Sequence, residues 1–190
     1  MKTVLFVPGF RENLKSRDYK STMNSIEKKG YKVRFVPIKW SRTTISDWVQ
    51  ELNKTYGRYD PTTTILAGFS YGSLTAFVCA SQKNPAELWL FSLSPYFSDD
   101  MPEMKKSWLN DIGHRRADEF RKLDFNKLSK SIKCKTLIVV GEVEARKYPL
   151  VVSRAKTAHK TLANSKLVTA AFSDHDIADK NYIAAIEGAI

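Results

Sequence analysis

The chain is poor in the residues that staple small extracellular domains or build fibres. It has two cysteines, Cys79 and Cys134, in 190 residues, too few for a disulfide framework or a cysteine-rich zinc site. Eight glycines and seven prolines exclude a collagen-like repeat, and no heptad pattern persists to support a coiled coil. No segment approaches the ~18 consecutive apolar residues of a membrane span. The run Thr3-Val4-Leu5-Phe6-Val7 follows Lys2 but is broken by Pro8-Gly9; it is shorter than a secretory core, and no small-residue cleavage site follows. These absences predict a cytoplasmic protein with reduced thiols and no membrane partner.

What remains suits one folded domain. Hydrophobic residues make up 43% and charged residues 27%, enough apolar material to exclude wholesale disorder. Lys plus Arg number 31 against 20 Asp plus Glu, a formal charge of +11. The basic pairs Lys28-Lys29, Lys105-Lys106, Arg115-Arg116 and Arg121-Lys122 are scattered, with acids between most of them. Zinc-finger spacing, a basic helix feeding a zipper and the signature of an RNA-binding sheet are all missing. The charge is read as a soluble basic surface, with no specific nucleic-acid partner.

Short apolar runs alternate with helical patterns along the whole length. The runs are Thr3–Val7, Val33–Pro37, Thr64–Ala67, Leu88–Leu93, Thr136–Val140 and Leu167–Ala171. They lack polar alternation, as strands buried on both faces of a parallel sheet do. Ile45, Trp48, Val49 and Leu52 form a helical stripe, as do Val151, Ala155, Ala158 and Leu162 behind Pro149. Ile177, Ile183, Ala184 and Ile186 predict a terminal helix. The rhythm implies right-handed βαβ units and a three-layer α/β sandwich around a mostly parallel six-stranded sheet. One interval is too long for a simple crossover, at about 95–133. It predicts a small helical, lid-like insertion in a single domain spanning 1–190, with one helix from Asp100 carrying Met101, Met104, Trp108 and Ile112, and a second helical stretch carrying Phe120, Leu123 and Leu128.

The strongest chemical signal is Gly68-Phe69-Ser70-Tyr71-Gly72. A strand leads into this G-x-S-x-G and a helical stretch with Leu74, Phe77 and Val78 leaves it, the context of a nucleophile elbow. Glycine is needed where side chains would collide across so tight a turn. The helix N-terminus behind Ser70 directs N–H groups to where negative charge develops. Of three histidines, His114 lies beside Arg115-Arg116 and His159 lies at the edge of a helical stripe, whereas His175 follows the last strand. That position is at the carboxyl edge of the sheet, where open α/β sheets place their sites.

These motifs resemble those of the α/β-hydrolases, through nearly the whole chain. Leu5-Phe6-Val7-Pro8-Gly9-Phe10 is similar to the strand and loop that build that family's oxyanion hole. Leu137–Glu144 resembles the strand that delivers its acid, and Phe172-Ser173-Asp174-His175 the loop that delivers its histidine. The order Ser…Glu…His matches the family order. Three features depart from it: Pro8 stands where the family often has His, the acid is Glu rather than Asp, and no room exists for the two antiparallel strands that often open the fold. The resemblance implies a minimal member with catalytic Ser70, Glu144 and His175, and the N–H groups of Phe10 and Tyr71 as oxyanion donors. The family's spacing favours Glu144; Glu142 is the alternative, and Asp174 and Asp176 are distant third choices.

The implied activity is hydrolysis of a carboxylic ester or thioester through an acyl-enzyme on Ser70, with no metal or organic cofactor and a small-molecule acyl substrate. Acyl transfer by the same triad, a binding or regulatory protein without turnover, and a polyanion-binding module motivated by the charge alone are the competing readings. Phe10, Phe69, Tyr71, Tyr96, Phe97 and Trp108 are candidates for an acyl pocket. Nothing in the sequence specifies the oligomeric state.

Overall fold

The computed structural model describes residues 1–16 and 19–190. The apolar runs become β1 (Thr3–Val7), β2 (Lys32–Phe35), β3 (Thr64–Phe69), β4 (Glu87–Phe91), β5 (Lys135–Gly141) and β6 (Ser165–Ala170). They form one sheet in the order β2-β1-β3-β4-β5-β6, with every neighbouring pair parallel. Parallel neighbours cannot be joined by hairpins and need crossovers. These are α1 (Tyr19–Lys28), α2 (Ile45–Tyr56), α3 (Tyr71–Lys83) and α8 (Pro149–Thr161), with α9 (Lys180–Glu187) closing the chain.

Local chemistry explains the helix starts. Thr44 precedes α2 in an extended conformation, and Asp47 accepts its N–H at 2.9 Å in a capping box. Pro149 opens α8, where its missing N–H costs nothing. Asp179 caps α9 by accepting the N–H groups of Asn181 and Tyr182.

The strand pleat divides the core in two. Leu5, Val7, Leu66, Leu88, Leu90, Ile138 and Val140 face α2, α3, the insertion and α8. Val4, Phe6, Ile65, Ala67, Trp89, Phe91, Leu137 and Val139 face α1 and α9. Burial on both faces holds for β3 and β4, which are buried throughout. It fails for β2 and β6, which lie at the sheet edges and alternate with exposed residues.

The insertion between β4 and β5 is helical, but differently divided than the apolar stripe predicts. The expected helix from Asp100 is a 3-10 turn, Met101–Glu103, followed by α4 (Lys106–Ile112). Met104 between them is extended, at φ −72° and ψ 132°. The second stretch is two helices, α5 (His114–Phe120) and α6 (Phe125–Ser131), the latter capped by Asp124. Gly113, at φ +83°, turns the chain between α4 and α5. Ile177 is fully buried but precedes α9 rather than belonging to it.

Candidate active site

Strand order reverses between β1 and β3, so their following loops part to opposite sides and leave a crevice at the carboxyl edge. The β1 loop brings Phe10 there and the β3 turn brings Ser70. Ser70 sits at φ +56° and ψ −119°, a strained conformation for a residue with a Cβ. Its N–H donates to the Phe91 carbonyl at 2.9 Å and its own carbonyl accepts from Ser73 and Leu74, so the turn is fastened to β4 and α3 together. The flanking glycines mark backbone crossings. A Cβ on Gly68 would lie 2.2 Å from the Gly72 carbonyl oxygen, and one on Gly72 would lie 2.2 Å from the Val7 oxygen and 2.3 Å from the Pro8 oxygen. Only glycine lets α3 start hard against the end of β1. The Phe10 and Tyr71 rings stack at 4.8 Å.

The β5 turn carries both candidate acids, with opposite surroundings. Glu144 opens the one-turn helix α7 (Glu144–Lys147) and is fully buried. Its Oε1 accepts from the Ser92 hydroxyl at 2.5 Å and the Gly141 N–H at 3.2 Å, while Oε2 lies 3.7 Å from Nδ1 of His175. Glu142 is exposed and accepts the Phe172 N–H at 2.9 Å. It braces the turn in which Phe172 takes φ +59°. Asp174 pairs with Lys147 and accepts the N–H of His175 at 2.8 Å. Those contacts, with the Lys147 hydrogen bond the largest, hold its carboxyl below the ordinary value. Asp176 accepts the Ala178 N–H within the same loop. Among these four carboxylates, the structure brings Glu144 to the imidazole.

His175 is clasped by aromatic rings, with Phe69 at 4.7 Å and Tyr148 at 5.2 Å. A Cβ on Gly141 would lie 2.5 Å from the Ser173 carbonyl, so the acid turn and the histidine loop touch through main chain. The other histidines are remote from this arrangement: His114 is exposed at the start of α5, and His159 is exposed on α8 beside the Ser165 hydroxyl.

Ser70 and His175 open into one cavity of about 640 Å³. Phe10, Tyr71, Tyr96 and Trp108 line it as expected; Phe69 and Phe97 do not. Phe69 lies beneath His175, and Phe97 packs between Phe77 and Phe125 in the core. Met101 and Met104 are likewise buried core residues, so within the insertion it is α4, through Trp108, Asn110, Asp111 and Ile112, that walls the cavity. Burial, and secondarily its neighbour Tyr96, pushes the Tyr71 phenol well above its usual value and keeps it protonated.

Three residues near the site escaped the sequence reading. Ser94 places its Oγ 3.3 Å from that of Ser70. Ser92 holds Glu144 and also meets the Tyr182 hydroxyl at 2.8 Å. Tyr148 flanks His175. The available signal for the two serines was their place just beyond β4, the strand beside the elbow, at the same carboxyl edge. Among the described residues, no group of three or more His, Cys, Asp and Glu side chains is placed to hold a metal ion. Burial pushes the Cys79 thiol to about 12 and the Cys134 thiol to about 11, so neither is a reactive thiolate. No helix among the described residues is long and apolar enough to cross a membrane.

The parallel sheet, the strand-turn-helix at Ser70 after its third strand and the loops that carry Glu144 and His175 at its carboxyl edge make an α/β-hydrolase fold. Solved structures agree. Est1E from Butyrivibrio proteoclasticus with ferulic acid bound superposes with a TM-score of 0.82 at 14% identity, over 100% of this chain and 86% of that one. MenH from S. aureus matches at 0.69 and 18% identity, over 98% and 92%. A predicted CIB-like hydrolase from Thermoplasma acidophilum matches at 0.69 and 14%, over 98% and 84%. No protein-family model and no curated protein sequence matches the chain.

Proposed function

We propose that the protein is a serine hydrolase that cleaves a carboxylic ester or thioester through an acyl-enzyme on Ser70. The observation that carries this reading is the conjunction of a strained Ser70 with His175 on one cavity wall, and a buried Glu144 behind the imidazole. His175 takes the Ser70 proton as the oxygen attacks the acyl carbonyl, then gives it to the leaving alcohol or thiol. Glu144 orients the ring through Nδ1 and stabilises the imidazolium. Their 3.7 Å separation is longer than a hydrogen bond and shortens as positive charge develops on the ring. The Phe10 and Tyr71 N–H groups hold the oxyanion, each worth about 3 kcal/mol of barrier. Water enters the half-open cavity and, with His175 as base, releases the acid.

The aromatic wall of Phe10, Tyr71, Tyr96 and Trp108 suits a substrate with a flat or apolar group next to the ester. The bound ferulic acid of the Est1E structure supports that choice by analogy of fold. The test is a fluorophosphonate probe with an ester panel. Wild type is labelled and turns over esters; Ser70→Ala is unlabelled and loses at least about four orders of magnitude in kcat. Equal labelling of both proteins removes Ser70 from the chemistry.

A further inference from the structure

A second cavity, of about 650 Å³, adjoins the Ser70 cavity and shares Arg11 with it. Arg42 and Arg116 join Arg11 on its wall, with Trp40 and the single carboxylate Glu12. Glu12 is occupied as an acceptor for the Tyr19 hydroxyl. Among the described residues, no ion pair joins any of the three arginines to a carboxylate.

Arg116 is not a loose surface cation. Its Nε donates to the Thr43 carbonyl at 2.8 Å, Nη1 to Ile112 at 2.9 Å and Nη2 to Trp40 at 2.8 Å. A guanidinium has five N–H donors, so one remains on each Nη for a carboxylate or phosphate oxygen. The Arg116 and Arg11 guanidinium carbons each lie 5.0 Å from the centroid of the Phe10 ring. The two cations are therefore no further apart than twice that distance, around a residue that also lines the Ser70 cavity. Their mutual repulsion adds to burial in making the charge on Arg116 harder to hold. An anion between them relieves that repulsion.

We propose that this cavity is an anion subsite of the Ser70 site, in which Arg11 and Arg116, with Arg42 beside them, hold a carboxylate or phosphate carried by the ester substrate. The proposal rests on the reading of Ser70 as nucleophile and narrows it to anionic esters. It also gives part of the +11 charge a task. The bonds of Arg116 tie the 40–43 segment to the insertion, so a purely structural role predicts lost stability with unchanged substrate preference.

The experiment compares kcat/KM for three p-nitrophenyl esters with one leaving group: the butyrate, the hemiglutarate with a terminal carboxylate on its acyl chain, and the 4-phosphonooxybutyrate with a terminal phosphate there. Wild type at low salt favours one of the anionic esters over the neutral one by about tenfold, and the favoured ester tells carboxylate from phosphate. Arg11→Gln and Arg116→Gln each bring that ratio close to one, and raising the ionic strength erodes it in wild type. Arg11 is exposed, so its variant tests the idea even where Arg116→Gln folds poorly. A ratio near one in wild type, or a ratio unchanged by Arg11→Gln, overturns the subsite. Calorimetric titration of glutarate and of inorganic phosphate into Ser70→Ala gives a readout free of turnover. Binding there that Arg11→Gln weakens upholds the subsite even if no ester is cleaved, a result that would count against the hydrolase reading alone. Absence of binding together with absence of preference overturns the subsite alone.

Discussion

The turn after β3 and the turn after β5 do related jobs by different means. Both end a buried strand, both use a glycine where two main chains touch, and each sets one side chain: Ser70 on the cavity wall and Glu144 buried behind His175. At the β3 turn the restraints fall on the pentapeptide's own glycines: Gly68 meets Gly72, Gly72 meets Val7 and Pro8 about 65 residues earlier, and both crossings demand a residue without a Cβ. At the β5 turn the choice between carboxylates is made by side chains outside the turn. Glu144 is selected by the Ser92 hydroxyl, 52 residues earlier, and faces a ring 31 residues later. A pentapeptide is therefore enough to announce the first turn, whereas the second becomes specific only once the sheet has assembled.

The sharpest way to break this contrast is Gly72→Ala. The added methyl would meet two backbone oxygens that belong to β1 and its loop, atoms with no rotamer in which to escape. Overpacking of this kind costs 1–3 kcal/mol or more. Helix α3 must lift from β1, which separates Tyr71 from the Phe10 loop. The expected outcome is a loss of about 3 kcal/mol in urea denaturation and loss of ester turnover. A variant that keeps both would mean that the crossing is not what shapes the elbow.

The acid turn is probed by the pair Glu144→Gln and Glu142→Gln. Glutamine at 144 keeps the shape but gives the imidazole a neutral partner able to favour the wrong tautomer, a change worth about 10⁴-fold in kcat in a serine triad. Glutamine at 142 still accepts the Phe172 N–H through its carbonyl, so turnover stays within about twofold. A large loss at 142 with little at 144 would transfer the catalytic acid to the exposed carboxylate.

This difference explains how far the sequence could be read. The six strands, the strand-turn-helix at Ser70 and the place of His175 at the carboxyl edge were legible because each is written in a local pattern: an apolar run, two glycines around a serine, a histidine just past the last strand. The edge strands β2 and β6 were read as buried on both faces because a short apolar run carries no mark of its place in the sheet. The division of 101–120 into a 3-10 turn and two helices was missed because Met101, Met104, Trp108 and Ile112 satisfy helical spacing even though Met104 is extended. Choosing Glu144 over Glu142 rested on the family's spacing, and the burial that separates them is a tertiary property. Ser92 and Ser94 could be placed at the carboxyl edge from the sequence, but their partners, Glu144 and Ser70, come from neighbouring elements of the sheet.

Ser92→Ala sharpens the comparison at intermediate size. Its hydroxyl is a charge-assisted donor to Glu144, and the Gly141 N–H remains after its removal. Loss of such a bond costs about 1.5–3 kcal/mol. Here that appears as roughly ten- to 150-fold in kcat with KM unchanged, since Ser92 lies behind Glu144 and lines no part of the cavity. If alanine changes melting alone and leaves the kinetics and their pH profile as in wild type, Ser92 is a packing residue and the acid is held by the turn itself.

The smallest effect lies at Asp179, which fastens the histidine loop to the start of α9. One carboxylate oxygen accepts from the Ser173 hydroxyl at 2.6 Å and from the N–H groups of Asn181 and Tyr182 at 2.9 and 3.1 Å. The Ser173 hydrogen bond is the main reason its carboxyl lies below its ordinary value, with the helix N–H groups adding to it. A carboxylate depressed in the folded state contributes stability above its unfolded value, near pH 4, and loses it as the pH falls through the lower folded value. Asp179→Ala should therefore cost about 1 kcal/mol at pH 7, the usual worth of an N-cap. The gap between variant and wild type should narrow as the medium is acidified through the carboxylate range, measured as urea midpoints at each pH. Ester turnover should change little at neutral pH, because His175 is also positioned by Phe69, Tyr148 and the Gly141–Ser173 contact. A gap that stays constant with pH would mean that the cap acts through the shape of the loop and not through its charge. A large fall in turnover would mean that the histidine depends on this one carboxylate more than on the rings and main chain around it.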